Sequence, residues 1–417
     1  MNSCISNGLE CRDNLSDESP YAEFNREIIT CEGTNGLVLP FPQPPQPSQQ
    51  SSPKETTLHT RLLEDTSGFH EHRIQAIKSQ GKLQSQDPTL RNAKLGYKVE
   101  SLLNRMSNWT RIKKKSEADT PRSLAESYGK RGHVIGYGAF GTVRIACKLD
   151  AEDPTRTRLF AVKEFKQRSR DSLIEHKKRV ISEYSISSSM YHPHVVTTLD
   201  LLQSTKGASC QVMEYCSGGD LYSFVLSVGQ LEMVEANCFF KQLLQGVEYL
   251  HEMGVAHRDL KLENILLTQR GKVKIADFGN AECFRMAWET EVHMISGVCG
   301  SRPYIAPEEY VDKQFDGRAV DIWACGMIYM SMRTGYHIWQ TSQKGRDKAF
   351  EQYVQDRKKE TGYKPIEQLE TIECRNVVYS ALDPTPARRL TAQQILLSEW
   401  VRKIEVCDAG NEGLDVC

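Results

Sequence analysis

The chain has 417 residues, long enough for two or three ordinary domains or for one large domain with tails. Hydrophobic residues make up 39%, enough for a sizeable core, and 53 Lys and Arg against 54 Asp and Glu argue against a nucleic-acid binder or a trap for acidic substrates. Thirteen Cys, an odd number without CxxC pairs or His at zinc-like spacing, read as reduced thiols inside a cytoplasmic protein.

MNSCISNGLECRDNLSDESP at the start lacks the apolar stretch of a secretory signal, and no run approaches the ~20 apolar residues of a membrane span. Asn2 does not fit a myristoylation site, and LDVC is not a prenylation box. Residues 1 to about 93 are rich in Ser, Gln, Pro and Asn, and LPFPQPPQPSQQSSP at 39–53 is a Pro/Gln low-complexity segment, expected to be extended. Val99, Leu102, Leu103, Met106, Trp109 and Ile112 then recur at helical spacing beside Lys113, Lys114 and Lys115. Such a basic amphipathic helix over 99–115 suits peripheral contact with an anionic membrane, a partner groove, or packing on the domain that follows; KKK also fits a nuclear-import patch. The chain is thus expected to divide into a low-complexity region 1–127, a folded domain 128–403 and a short tail 404–417.

From 128 the punctuation becomes compact. KRGHVIGYGAFGTVRIACKL reads strand, Gly-rich turn, strand, and RLFAVKEF another strand. A charged helix is predicted over 172–190, strands over VVTTLDLLQ and CQVMEYC, then helices over LYSFVLSV and 234–253. Short strands NILLT and KVKIAD follow, and helical periods dominate from 320 to 403. Strands first and helices later make an α+β chain of two lobes, a small β-rich one and a larger helical one.

Gly136, Gly138 and Gly141 have G-x-G-x-x-G spacing, which also opens dinucleotide-binding folds. In those folds the third Gly enters a helix. Here it enters TVRIACKL, β-branched and alternating, so the turn joins two strands and its backbone N–H groups can close over phosphates without Cβ obstruction. FAVK places Lys163 at a strand end, where it can reach phosphates if a carboxylate holds it. Glu183, in the predicted helix, is that carboxylate or else an ordinary surface Glu.

These features, with HRDLKLEN at 257–264, DFG at 277–279 and APE at 306–308, resemble the protein-kinase signature in order and spacing over about 128–403. The resemblance implies a two-lobed kinase fold that binds ATP and Mg²⁺. It makes Asp259 the group that accepts or orients the substrate hydroxyl proton, and Asn264 and Asp277 the metal ligands. It sets Lys261 beside the transferring phosphate, as in the Ser/Thr-specific branch. Ile135, Val143, Ala161 and Leu266 would clamp the adenine, with Met213 as gatekeeper and Glu214 to Cys216 as hinge. His257 is implied to pack beneath Phe278, Asp321 to anchor the catalytic-loop backbone, and Arg389 to pair with Glu308. Asp220 and Glu263 would select basic residues before the acceptor.

Two departures stand out. Ser187, four residues after Glu183, replaces a bulky apolar residue, so the helix is expected to pack loosely. The usual activation-loop acceptor slot falls on Gly297; this makes Ser296 the predicted phosphosite for Arg258, with activity independent of any loop phosphate as the alternative. Ser301 is instead expected to bridge Asp259 and Lys261. SLAESYGKRGHVIGYGAFGTVRI, GVCGSRPYIAPEEY and RAVDIWACGMIYMSMRTG are further similar to the fungal halotolerance and nutrient-permease-regulating kinases, which implies a monomeric enzyme acting on protein substrates at plasma-membrane transporters. A pseudokinase scaffold is the competing reading; Lys163, Asp259, Asn264 and Asp277 together speak against it.

Overall fold

The computed structural model describes residues 62–64, 70–72 and 123–413, apart from 139–140, 151–155, 170 and 206. The Pro/Gln segment and the 99–115 stretch therefore lie outside the described residues. Leu62–Glu64 and His70–His72 form a short antiparallel pair.

A five-stranded antiparallel sheet builds the small lobe: β1 (Lys130–Gly138), β2 (Gly141–Leu149), β3 (Thr157–Phe165), β4 (Thr198–Gln203) and β5 (Ser209–Glu214), in the order β1-β2-β3-β5-β4. β1 and β2 meet at Gly138 opposite Gly141, so the Gly-rich turn joins two paired strands and the dinucleotide alternative is excluded. Ala146, Val162, Cys210 and Val212 form the sheet's buried face. Helix α1 (Leu124–Tyr128) is closed by a Ser123/Glu126 capping box and packs on this face, with Tyr128 edge-on to Phe160 at 4.9 Å.

Helix α2 (Leu173–Ser189) begins at a second capping box, Ser172 with Glu175, close to the predicted 172–190. Strand β4 starts at Thr198 rather than at the two valines before it. Val195 pairs in isolation with Ile275 of the large lobe, and the Val196 amide donates to Ile275 O at 2.9 Å, so these apolar residues tie the lobes together.

The large lobe is built around α4 (Met233–Glu252) and α5 (Gly317–Thr334), preceded by α3 (Leu221–Val228). Nearly every residue of α5 from Val320 to Met332 is buried, which fits its almost continuous apolar sequence. Four short strands accompany them, β6 (Gly219–Asp220) just before α3 and β7 (Val255–Ala256), β8 (Ile265–Leu267) and β9 (Val273–Ile275) between α4 and α5, with β6, β8 and β9 in one sheet. A fifth, β10 (Glu282–Cys283), pairs with β7. Packing continues past 403: Val406, Cys407 and Ala409 bury against Cys238, and Lys241 Nζ donates to Ile404 O at 2.8 Å. Among the described residues no helix is long and apolar enough to cross a membrane.

Candidate active site

The cleft between the lobes gathers the charged residues of the sequence motifs. Lys163 lies two residues before the end of β3, and its pairing with Gln211 of β5 and Val143 of β2 sets its depth in the sheet. Its Nζ donates to Glu183 Oε1 of α2 at 2.5 Å and to Asp277 Oδ1 at 2.7 Å. Burial opposes the ammonium, but the Asp277 and Glu183 charges outweigh it and hold the pKa above its ordinary value. Asp277 is held low, Lys163 prevailing over desolvation. Glu183 is pushed up by burial, and its second oxygen is buried without a partner.

HRDLKLEN is a tight loop between β7 and β8. Asp321, fully buried on α5, accepts from the His257 amide at 2.8 Å and the Arg258 amide at 2.9 Å, and His251 Nε2 lies 2.9 Å from it. His257 packs on Phe278 with ring centroids 5.2 Å apart. Among the described residues two non-glycine residues have positive φ, Arg258 in this loop at 64° and Asp277 at 65°. Positive φ costs ~1–3 kcal/mol per residue, a cost that the Asp321 bonds at Arg258 help to offset.

Asp259 is the centre of a small polar network. Lys261 Nζ donates to its Oδ2 at 3.2 Å and to Ser301 Oγ at 2.9 Å, and the Ser301 hydroxyl lies 3.5 Å from Oδ1. Ser301 thus makes the bridge expected of it. Asn280 Nδ2 also reaches Oδ2 at 3.3 Å, a contact that the sequence motifs did not announce. Desolvation pushes the Asp259 carboxyl above its usual range, against the pull of Lys261. Asn264 Nδ2 donates to Asp259 O at 2.7 Å, which leaves Oδ1 as the acceptor for a cation. With the Asp277 carboxylate it makes a hard, all-oxygen donor pair. Among the described residues no group of three or more His, Cys, Asp or Glu could hold a metal ion.

The apolar wall draws its residues from five strands, Ile135 from β1, Val143 from β2, Ala161 from β3, Met213 from β5 and Leu266 from β8. Ala161 pairs with Met213 and Ile145, and Leu266 with Asp220. Val143, Met213 and Leu266 are half-buried, Ala161 and Cys216 buried, and Ile135 lies at the exposed edge. Gly136 leaves open space, the nearest atom to an added Cβ being Val143 Cβ at 3.8 Å. Glu214 turns its carboxylate away from this wall, accepting from the Thr197 amide at 2.6 Å and from buried Lys274 at 2.9 Å. Only its backbone is left to serve as hinge.

The remaining expectations divide. Arg389 makes a two-pronged pair with Glu308, at 2.6 and 2.7 Å. Asp220 caps α3, accepting from Ser223 N at 2.7 Å and Ser223 Oγ at 2.9 Å, so it is partly engaged. Glu263 is exposed near it, its carboxyl pushed up by desolvation. Ser187 does not loosen α2: it is buried, and its hydroxyl accepts from Gln211 Nε2 at 3.0 Å, while Gln211 also donates to Thr198 at 3.0 Å. A polar clasp replaces the apolar contact. Arg258 is already paired, with Glu282, which no motif had singled out.

A family profile described as protein kinase domain matches residues 130–401. Serine/threonine-protein kinase hal4 of Schizosaccharomyces pombe is 56% identical over 316 residues, covering 76% of this chain and 50% of the relative. Serine/threonine-protein kinase HAL4/SAT4 of Saccharomyces cerevisiae is 56% identical over 290 residues, 69% of this chain and 48% of its own. A probable serine/threonine-protein kinase HAL5-like of Kluyveromyces lactis is 35% identical over 325 residues, 70% and 42% respectively. The chain spans about half the length of the curated relatives it matches.

Proposed function

The chain belongs to the protein kinase family, and on that premise we propose that it transfers the γ-phosphoryl group of ATP to Ser or Thr of protein substrates. The observation that carries this reading is Lys163 joined to both Glu183 and Asp277, with Asp259 held in its own network in the same cleft. That arrangement needs no rebuilding before phosphates enter.

Each residue then has a defined task. Ile135, Val143, Ala161, Met213, Cys216 and Leu266 hold the adenine, and Gly136, Gly138 and Gly141 let backbone amides approach the phosphates. Lys163 presents its charge to the α- and β-phosphates. Asn264 and Asp277 would hold Mg²⁺, which would supply charge neutralisation of the phosphates. Asp259 orients the substrate hydroxyl and takes up its proton; its raised pKa helps a carboxylate to do so. Lys261 stabilises charge at the transferring group. The work is positioning and electrostatics, with little covalent chemistry.

In the 417-residue protein, Lys163→Met and Asp277→Asn should each lower phosphate transfer to a Ser/Thr peptide by orders of magnitude at a temperature where circular dichroism shows the variant still folded. Asp277→Asn within about tenfold of wild type would reject the metal role. Glu263 and Asp220 support a preference for Arg or Lys two or three residues before the acceptor, each pair contributing ~1.5–3 kcal/mol. A peptide array with acidic or Pro-directed preference would overturn that choice. The resemblance of SLAESYGKRGHVIGYGAFGTVRI, GVCGSRPYIAPEEY and RAVDIWACGMIYMSMRTG to the halotolerance and nutrient-permease-regulating kinases, with the 99–115 helix pattern, supports a cytoplasmic enzyme that signals to ion or nutrient transporters at the plasma membrane.

A further inference from the structure

Arg258 precedes the catalytic Asp259 and is the cation that a phosphate on the 277–308 segment was expected to satisfy. It is satisfied without one. Nη1 donates to Glu282 Oε2 at 2.5 Å, and Nη2 donates to the carbonyl oxygens of Ser296 at 3.0 Å and Gly297 at 2.5 Å. The guanidinium lies over the Phe315 ring at 5.8 Å, and Nε is buried without a partner. Three of the five N–H donors of Arg258 are thus engaged, on a side chain only 8% exposed.

Two features build this arrangement into the fold. Glu282 pairs with Ala256 across β10 and β7, so the strand register sets its carboxylate two residues from Arg258. Gly297 has φ 83°, a backbone that a residue with a side chain adopts only under strain. The position that would carry an acceptor hydroxyl is thus a glycine whose carbonyl takes the hydrogen bond, while Glu282 supplies the negative charge. Asp259 adds a further carboxylate near neighbouring Cys299. A dianionic phosphate on Ser296 would meet an occupied arginine and like charge.

We propose that Glu282 is a positioning residue for phosphoryl transfer. Its carboxylate stands in for a phosphate, holding Arg258 and through it both Asp259 and the backbone of 296–297, so the segment takes up its working shape unmodified. This rests on the kinase reading above.

The test uses full-length protein made in bacteria, stripped with a phosphatase and checked by mass spectrometry over 277–308. Unmodified wild type should be fully active, and amides near 295–301 should be protected from hydrogen exchange. Glu282→Gln should lower kcat about tenfold, speed exchange over 295–301, and leave KM for ATP and melting temperature unchanged, with partial rescue by Glu282→Asp. Ser296→Asp should restore activity in the Glu282→Gln background and bring no gain in wild type. Wild type that needs phosphate on 290–301 to work, or Glu282→Gln with unchanged rate and exchange, overturns the proposal. If no form transfers phosphate but Glu282→Gln still releases 295–301, the anchor stands and the kinase reading is what fails.

Discussion

Glu309 sits in the interior behind the catalytic loop. One oxygen accepts from the Ala306 amide at 3.1 Å, and the other is buried without a partner. Burial pushes its carboxyl up to about 8, from an ordinary 4.5. A carboxyl raised in the folded state binds its proton more tightly there than in the unfolded chain, so its stabilising protonation is lost as pH climbs through the folded value. Glu309→Gln keeps the acceptor and removes the titration. The variant should therefore exceed wild type in melting temperature by a margin that grows from pH 5 toward about 8 and then levels. A margin independent of pH across that interval would show that Glu309 titrates normally. Asp259 is raised by desolvation in the same interior, but there Lys261 opposes the shift; the same physics serves packing at one carboxyl and chemistry at the other.

In the hairpin of β1 and β2, the glycines of one motif divide into two kinds. An added Cβ at Gly141 would come within 2.2 Å of Glu164 O in β3, a clash with backbone that cannot yield. At Gly136 it would meet only Val143 Cβ at 3.8 Å. Gly141→Ala should therefore lower the melting temperature by several degrees, a cost of ~1–3 kcal/mol from local overpacking. Gly136→Ala should leave stability unchanged and raise KM for ATP, because its Cβ would stand beside Val143 in the proposed nucleotide site. Thermal melts and steady-state kinetics on the same two proteins separate these roles. Helix α2 makes a related point. Its buried Ser187 reads as a weakness when only the apolar period is considered, yet Gln211, 24 positions on, completes its hydrogen bond. Buried polar groups stabilise when their partners are present, and here the partner is on another strand.

Across the whole domain, Glu308 and Arg389 are 81 residues apart in sequence, and their side chains are 2% and 1% exposed. The guanidinium also lies 4.9 Å above the ring of Trp323 on α5 and donates to Ala319 O at 2.9 Å. Arg389→Ala would leave a carboxylate buried and unpaired, at a cost of ~3–5 kcal/mol. The expected result is a large drop in the urea midpoint, with Glu308→Gln restoring part of the loss in the double variant. Strict additivity of the two would mean that the pair is not coupled.

Much of this molecule was legible in its residues. The β-branched run after Gly141 settled that the glycine turn joins strands, since local period distinguishes strand from helix without reference to anything distant. The ordered set Lys163, Asp259, Asn264 and Asp277 marked the cleft, and the resemblance, with the spacing of Arg389 to LTA, even implied the tertiary pair with Glu308. Glu282, Asn280, Gln211 and Glu309 escaped notice because their significance is a matter of what they touch. An exposed-looking Glu in NAECF is unremarkable until the pairing of β10 with β7 sets it against Arg258. Short-range pattern determines elements, because backbone period and capping are local physics. Charge partners are decided by tertiary structure, because an ion pair depends on distance in space and on how much water the fold has removed.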